Sequence, residues 1–192
     1  MRGSLKFMNH KINGRVRKLI NTGKAFSLRY EIHFASKSIA KVLFDSGTPA
    51  GNKANSSFSI PTWILNGNKK IKKEYLKGIY TSEGSIYPTK IKKGSRWRIE
   101  IEQYKRLSIK NEGIKFMLQI SNMLKEFEII TSPPRFGKKQ TRKDGSKTIA
   151  IKMDVEKKYF EKFYHGIGFD DKFKTNRLVK AIAGKSGGSN QL

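Results

Sequence analysis

The stretch that most constrains this chain is I-K-K-E-Y-L-K-G-I-Y-T-S-E-G-S-I, residues 71–86, because it joins a helical packing surface to a carboxylate. Tyr75, Leu76, Ile79 and Tyr80 recur at helical spacing and make an apolar stripe. Gly78 and Ser82, one turn apart, leave a shallow notch where a second backbone can approach closely. Glu83 closes the helix and Gly84 follows it, a residue suited to the left-handed turn that stops a helix, so the carboxylate ends up at the tip. Spacing alone also admits an ordinary amphipathic helix with a surface glutamate.

Charge narrows the choice of partner. Of the 192 residues, 41 are Lys or Arg and 15 are Asp or Glu, a formal charge of +26 that exceeds what solubility needs and points to a polyanion, nucleic acid first. The basic residues are interspersed along the chain, as expected of a folded surface that tracks phosphates. A membrane is not expected, since no apolar run reaches the ~20 residues of a spanning helix. No signal peptide is evident, which favours an intracellular location, cytoplasmic or organellar, over secretion. The absence of cysteine excludes disulfides and thiolate metal sites, and three scattered histidines make no case for a His-rich zinc site. A hydrophobic content of 36% supports a modest core in one domain or two small ones.

In chain order, residues 1–20 are basic and too weakly patterned to assign, and Gly23 and Lys24 mark a turn. Residues 26–34, F-S-L-R-Y-E-I-H-F, alternate as a strand, with Arg29, Glu31 and His33 on the polar face. Ser36 caps a helix over residues 38–44 that Asp45-Ser46-Gly47 ends. Residues 48–57 form an irregular connection leading to F-S-I-P-T-W-I-L at 58–65. After the 71–84 helix, strands at 85–92 and 96–102 make a hairpin, with Trp97, Ile99 and Ile101 inward and Arg96, Arg98, Glu100 and Glu102 on the opposite face. A helix spans 114–127. Asp144-Gly145 turns a second hairpin, whose first strand ends near Arg135 and whose second begins near Lys147 and puts Thr148, Ala150 and Lys152 on one face. Asp154 caps a further helix stopped by Gly166-Ile167-Gly168, a last helix covers 172–183, and residues 184–192 read as a loose tail.

Leu76-Lys77-Gly78-Ile79-Tyr80-Thr81-Ser82-Glu83-Gly84, running on into Ser85-Ile86, resembles the signature of the LAGLIDADG homing endonucleases, and the I-P-T-W-I segment at 60–64 resembles one that precedes a motif helix there. The resemblance implies an α+β fold of αββαββα repeats, forming a curved antiparallel β-sheet saddle backed by helices. Residues 66–183 would be one complete repeat with motif helix 71–84, and residues 1–65 a partial repeat lacking its own acidic motif. Laying residues 32–47 over 151–166 puts Ile32 on Ile151, Phe34 on Met153, Phe44 on Phe163 and Gly47 on Gly166, although any strand followed by a helix aligns in this way. In the family two motif helices pack together, so Gly78, Ser82 and Gly84 would form a helix interface, within the chain or in a homodimer through residues 71–84. Lys77 departs from the small residue usual at its position.

The same resemblance carries metal binding at the DNA backbone onto Glu83, beside Ser82, with Mg²⁺ or another divalent cation as cofactor. Oxygen ligands suit that ion. Lys152 matches a basic position near the cleaved phosphate, against a reading as one more backbone-binding lysine, and Lys110 is a second candidate. His33 holds the equivalent place in the partial repeat, against a reading as a half-buried structural histidine. Polar strand faces suit the major groove, so Arg29, Glu31, Arg96, Arg98, Glu100 and Glu102 are candidate base readers, with cross-strand ion pairing as the alternative. Lys69, Lys70, Lys72, Lys73, Lys138, Lys139, Arg142 and Lys143 are expected on phosphates. The function so implied is a site-specific double-stranded DNA endonuclease, complete or decayed, intron-encoded or intein-related. The alternative is a non-catalytic binder of the same fold, an intron RNA maturase or a DNA-binding regulator.

Overall fold

The computed structural model describes residues 36–49, 51–92 and 94–184 in full, together with the backbone of three strands between residues 2 and 33. The chain divides into two compact units, Met1–Ser46 and Gly47–Leu192. In the first, β1 (Arg2–Phe7), β2 (His10–Asn21) and β3 (Ser27–His33) form an antiparallel sheet in that spatial order, followed by α1 (Lys37–Asp45). β3 is the strand expected from alternation; Phe26, Phe34 and the Gly23-Lys24 turn lie outside the described residues. The Ser36 hydroxyl accepts the Ile39 N–H, as a helix-capping serine should.

The second unit begins with an irregular segment and the single-turn helix α2 (Thr62–Leu65). There follow α3 (Lys69–Ser82), β4 (Gly84–Ile91), β5 (Gly94–Arg106), α4 (Lys110–Lys125), β6 (Arg135–Thr141), β7 (Lys147–Val155), α5 (Phe160–Gly166) and α6 (Lys172–Ile182). The four strands form one antiparallel sheet in the order β4-β5-β7-β6, so the fold is α+β. Alternation splits the sheet cleanly. Ile86, Trp97, Ile99, Ile101, Ile151, Met153 and Val155 face a core completed by Leu76 and Tyr80 of α3, by Phe116, Met117, Ile120 and Leu124 of α4, and by Phe163 and Leu178. Each such fully buried aliphatic contributes about 1.5–3 kcal/mol. Among the described residues, no helix is long and apolar enough to cross a membrane.

Several expectations need correction. Residues 47–65 belong with the second unit, because Arg106 N–H bonds the Ala54 carbonyl, Ile60 N–H bonds the Gln119 side chain, and Ile60 and Ile64 enter the core. β6 starts at Arg135 instead of ending there; it is an exposed edge strand with a bulge between Phe136 and Lys139, so it shows no alternation. β5 extends beyond its predicted bounds at both ends, whereas α4 both starts and ends earlier than the expected 114–127. Asp154 does not cap a helix, since β7 continues through it to Val155. Gly84 is not a left-handed stop either, being absent from the positive-φ glycines and forming the first residue of β4. Its glycine is required by proximity: a Cβ would lie 2.5 Å from the Tyr80 carbonyl oxygen.

Candidate active site and nucleic-acid face

Glu83 is the residue that ends α3, and its half-exposed carboxylate accepts from Lys53 Nζ at 3.0 Å. The tip of α3 is held from the other side by α6 and the turn before it. Lys174 Nζ donates to the carbonyls of Thr81 (2.5 Å) and Gly84 (2.7 Å), Asp170 N–H donates to Thr81 Oγ1, and Arg177 donates to the Ile86 carbonyl. Helix ends leave carbonyls without partners, and an ammonium there is favoured by the helix dipole. Burial lowers the Lys174 pKa from its ordinary value. Ser82 does not join Glu83, because its hydroxyl turns back to the Ile79 carbonyl.

As a metal site the tip offers the Glu83 carboxylate, since the Thr81 and Gly84 carbonyls beside it accept from Lys174. Among the described residues no three acidic, His or Cys side chains gather. Mg²⁺ keeps several waters and takes one or two carboxylates plus substrate phosphate oxygens, so Glu83 is the one side chain at the tip that would hold it.

Helix α3 faces two ways. Leu76 and Tyr80 are fully buried in their own unit, whereas Gly78 and Ser82 are exposed and a Cβ at Gly78 would meet nothing within 4 Å. The notch is therefore open, with the half-buried Tyr75 and exposed Ile71 in line with it. Burial pushes the Tyr75 hydroxyl up to about 12. Lys77 points elsewhere, to Asp170 at 2.5 Å.

The outer face of the sheet carries the predicted polar residues, and the register brings them together: Glu100 lies opposite Ser85 and Asp154, Tyr87 opposite Arg98, and Lys152 opposite Glu102 and Arg135. Glu100 is 5% exposed and accepts from Tyr87 (3.0 Å), Arg98 (3.3 Å), Arg135 (3.1 Å) and Lys152 (3.2 Å). Arg98 and Arg135 also engage Asp154, and Lys152 reaches Glu102 at 2.9 Å. The Glu102 and Glu100 carboxylates raise the Lys152 pKa, and Asp154 with Glu100 raises that of Arg98. Cross-strand pairing thus explains Arg98, Glu100 and Glu102, and Glu100 is too buried to read a base. Arg96 remains exposed at the rim.

Lys152 and Lys110 make no bond to Glu83. Lys110 opens α4 with its ammonium 5.4 Å from the Phe136 ring centre. Of the expected phosphate contacts, Lys69, Lys70, Lys138, Lys139 and Lys143 are exposed and Arg142 half-buried. Lys72 is not available: it is buried and bonded to both oxygens of Glu126, tying α3 to α4. Lys73 is bonded to the His165 carbonyl. The side chains of Arg29, Glu31 and His33 lie outside the described residues.

Sequence reasoning missed Arg135, Asp154, Lys174 and Lys53. Asp154 shares the period-2 face of Lys152 and could have been found from it, whereas nothing local marks Lys53 in its irregular segment.

No family model matches the chain, and no solved structure matches it. Curated relatives do. The tRNA-splicing ligase RtcB of Pyrococcus abyssi is 29% identical over 106 residues, 55% of this chain and 11% of that protein. In Methanocaldococcus jannaschii, the replication factor C small subunit is 31% identical over 128 residues, 65% of this chain and 6% of that protein. The DNA-directed RNA polymerase subunit Rpo1N of the same organism is 31% identical over 176 residues, 88% of this chain and 12% of that protein. The chain thus spans about a tenth or less of these relatives' own length.

Proposed function

We propose that the chain is a homing-type, site-specific endonuclease of the LAGLIDADG class that hydrolyses double-stranded DNA with Mg²⁺. The observation that carries this reading is the order α3-β4-β5-α4-β6-β7-α5, an αββαββα unit, with Glu83 at the tip of its first helix. The comparisons add an independent argument. Matches covering 55%, 65% and 88% of one chain must overlap, so a shared stretch resembles a small part of three proteins with different names and tasks. A module inserted into unrelated hosts leaves that pattern, and an intron- or intein-borne endonuclease is such a module.

In this reading Glu83 holds the divalent cation, which supplies Lewis acidity at a phosphate oxygen. The exposed lysines of α3 and β6 bind backbone phosphates, while the paired sheet face presents a rigid surface to the groove. The described residues hold one motif helix, its notch open, so a second motif helix, such as that of a second copy through residues 71–84, would complete the pair that cuts both strands.

The expected outcome is Mg²⁺-dependent cutting of a randomised-target plasmid library at one long site. Duplex binding weakens with salt at a log–log slope near −5 if ~6 phosphates are neutralised. Glu83→Gln removes cutting and leaves binding equal or slightly tighter, because it deletes a ligand and a negative charge near phosphate. Unchanged cutting by that variant overturns the site.

The second reading, a non-catalytic DNA or RNA binder, is favoured by the cations at the tip: Lys53 on Glu83 and Lys174 on the Gly84 carbonyl. Tight binding with no cutting of any library member selects it.

A further inference from the structure

Residues 52–58 lack regular structure, yet they are fastened to the second unit at several points. Asn52 Oδ1 accepts the Ala54 N–H at 3.0 Å, Ala54 is buried, and its carbonyl accepts the Arg106 N–H at 2.9 Å. The main anchor is Lys105. This lysine is 1% exposed, its Nζ donates to the carbonyls of Lys53 and Ser56 at 2.7 Å each, and it stands 3.7 Å over the Phe58 ring. An ammonium is costly to bury, and here all of its hydrogen bonds go to holding one loop.

The loop in turn sets Lys53 beside Glu83. An ion pair between side chains 64% and 43% exposed is worth too little to hold a backbone in place. The placement comes from the Lys53 and Ala54 carbonyls, so Lys53 stays next to the carboxylate whether or not the pair is formed. The contrast with Lys174 is informative: that ammonium is half-buried and bonded to two carbonyls, a structural cap, whereas Lys53 has a single acceptor and can leave it.

We propose that Lys53 is a displaceable cation of the Glu83 site, which covers the carboxylate in the free protein and turns to a non-bridging phosphate oxygen when a divalent cation and DNA take its place. The proposal rests on the endonuclease reading and names a residue of the site that the motif does not contain. A lysine suits this task because its ammonium is a single point charge on a flexible stem.

The test is Mn²⁺ titration of the free full-length chain by electron paramagnetic resonance, together with salt-dependent binding to a mixed-sequence DNA duplex. Lys53→Ala is expected to tighten Mn²⁺ about two- to five-fold, the worth of one exposed ion pair, and Lys53→Arg to stay near wild type. Lys53→Ala is also expected to make the salt slope shallower by about 1. Loss of Mn²⁺ binding in Glu83→Gln with no tightening in Lys53→Ala overturns the role of Lys53 and leaves the Glu83 site standing. Absence of Mn²⁺ binding in wild type and Lys53→Ala alike overturns both, and an unchanged salt slope overturns the phosphate contact.

Discussion

Lys152 Nζ lies 3.2 Å from Glu100 Oε1 across the centre of the sheet, and Glu100 keeps only 5% of its surface exposed. The same carboxylate accepts from Arg98, Arg135 and Tyr87, so one buried negative charge organises three cations on adjacent strands. A chain with a formal charge of +26 therefore holds the middle of this face close to neutral and leaves its excess charge elsewhere.

Removing the shared acceptor is expected to be far worse than removing a peripheral one. Glu100→Gln leaves Arg98 and Arg135 only Asp154 and leaves Lys152 only Glu102, around a buried neutral amide, and should cost about 1.5–3 kcal/mol, the range for losing hydrogen bonds to a charged group. Glu102→Gln, which leaves Lys152 its bond to Glu100, should cost under about 1 kcal/mol. Urea unfolding of both variants checks the difference, and equal losses would contradict the central place given to Glu100.

The two glycines of the motif, Gly78 in α3 and Gly84 at the start of β4, are expected to respond in opposite ways. Gly84→Ala places a methyl 2.5 Å from the Tyr80 carbonyl oxygen and 2.9 Å from Tyr80 Cδ1, so it should destabilise by about 1–3 kcal/mol. Gly78→Ala meets nothing within 4 Å and improves helix propensity, so the monomer should gain up to about 1 kcal/mol. Thermal melts at low protein concentration check both. A loss in Gly78→Ala that grows with concentration would reveal a helix packed in the notch.

Lys105 gives a pH signature. Burial, with Lys53 nearby, lowers its pKa from 10.5 to about 8, so between those values the unfolded chain binds more protons than the folded one. Stability therefore rises with pH across that window, and the penalty is fullest below pH 8. Relative to Lys105→Met, the wild type should gain about 1–2 kcal/mol between pH 7 and pH 9.5 by linkage. Comparing the two at both pH values removes the contribution of other lysines and of the buried tyrosines. A constant difference would mean that Lys105 titrates normally.

Local pattern was enough for the elements whose two sides meet different surroundings. The alternation of Trp97, Ile99 and Ile101 with Arg98, Glu100 and Glu102 marked β5 and both its faces, because a half-buried strand must alternate. The spacing of Leu76 and Tyr80 marked α3, and the chain order placed Glu83 at its end. The motif and the charge together made nucleic acid the leading partner.

The tertiary structure alone decided what depends on contacts between distant residues. β6 lies at the sheet edge, exposed and bulged, so nothing in Arg-Phe-Gly-Lys-Lys-Gln-Thr had to alternate. Asp154 reads locally as a helix cap, yet cross-strand register hands its carboxylate to Arg98 and Arg135. Gly84 reads as a left-handed stop, yet its requirement comes from the Tyr80 carbonyl against it. Lys53 and Glu83 are separated by 30 residues and meet because Lys105, on β5, binds the loop that carries Lys53. Periodicity reports which way a residue faces, since that follows from the backbone it sits on; which groups it then meets is set by chain closure over long separations, which no local window contains.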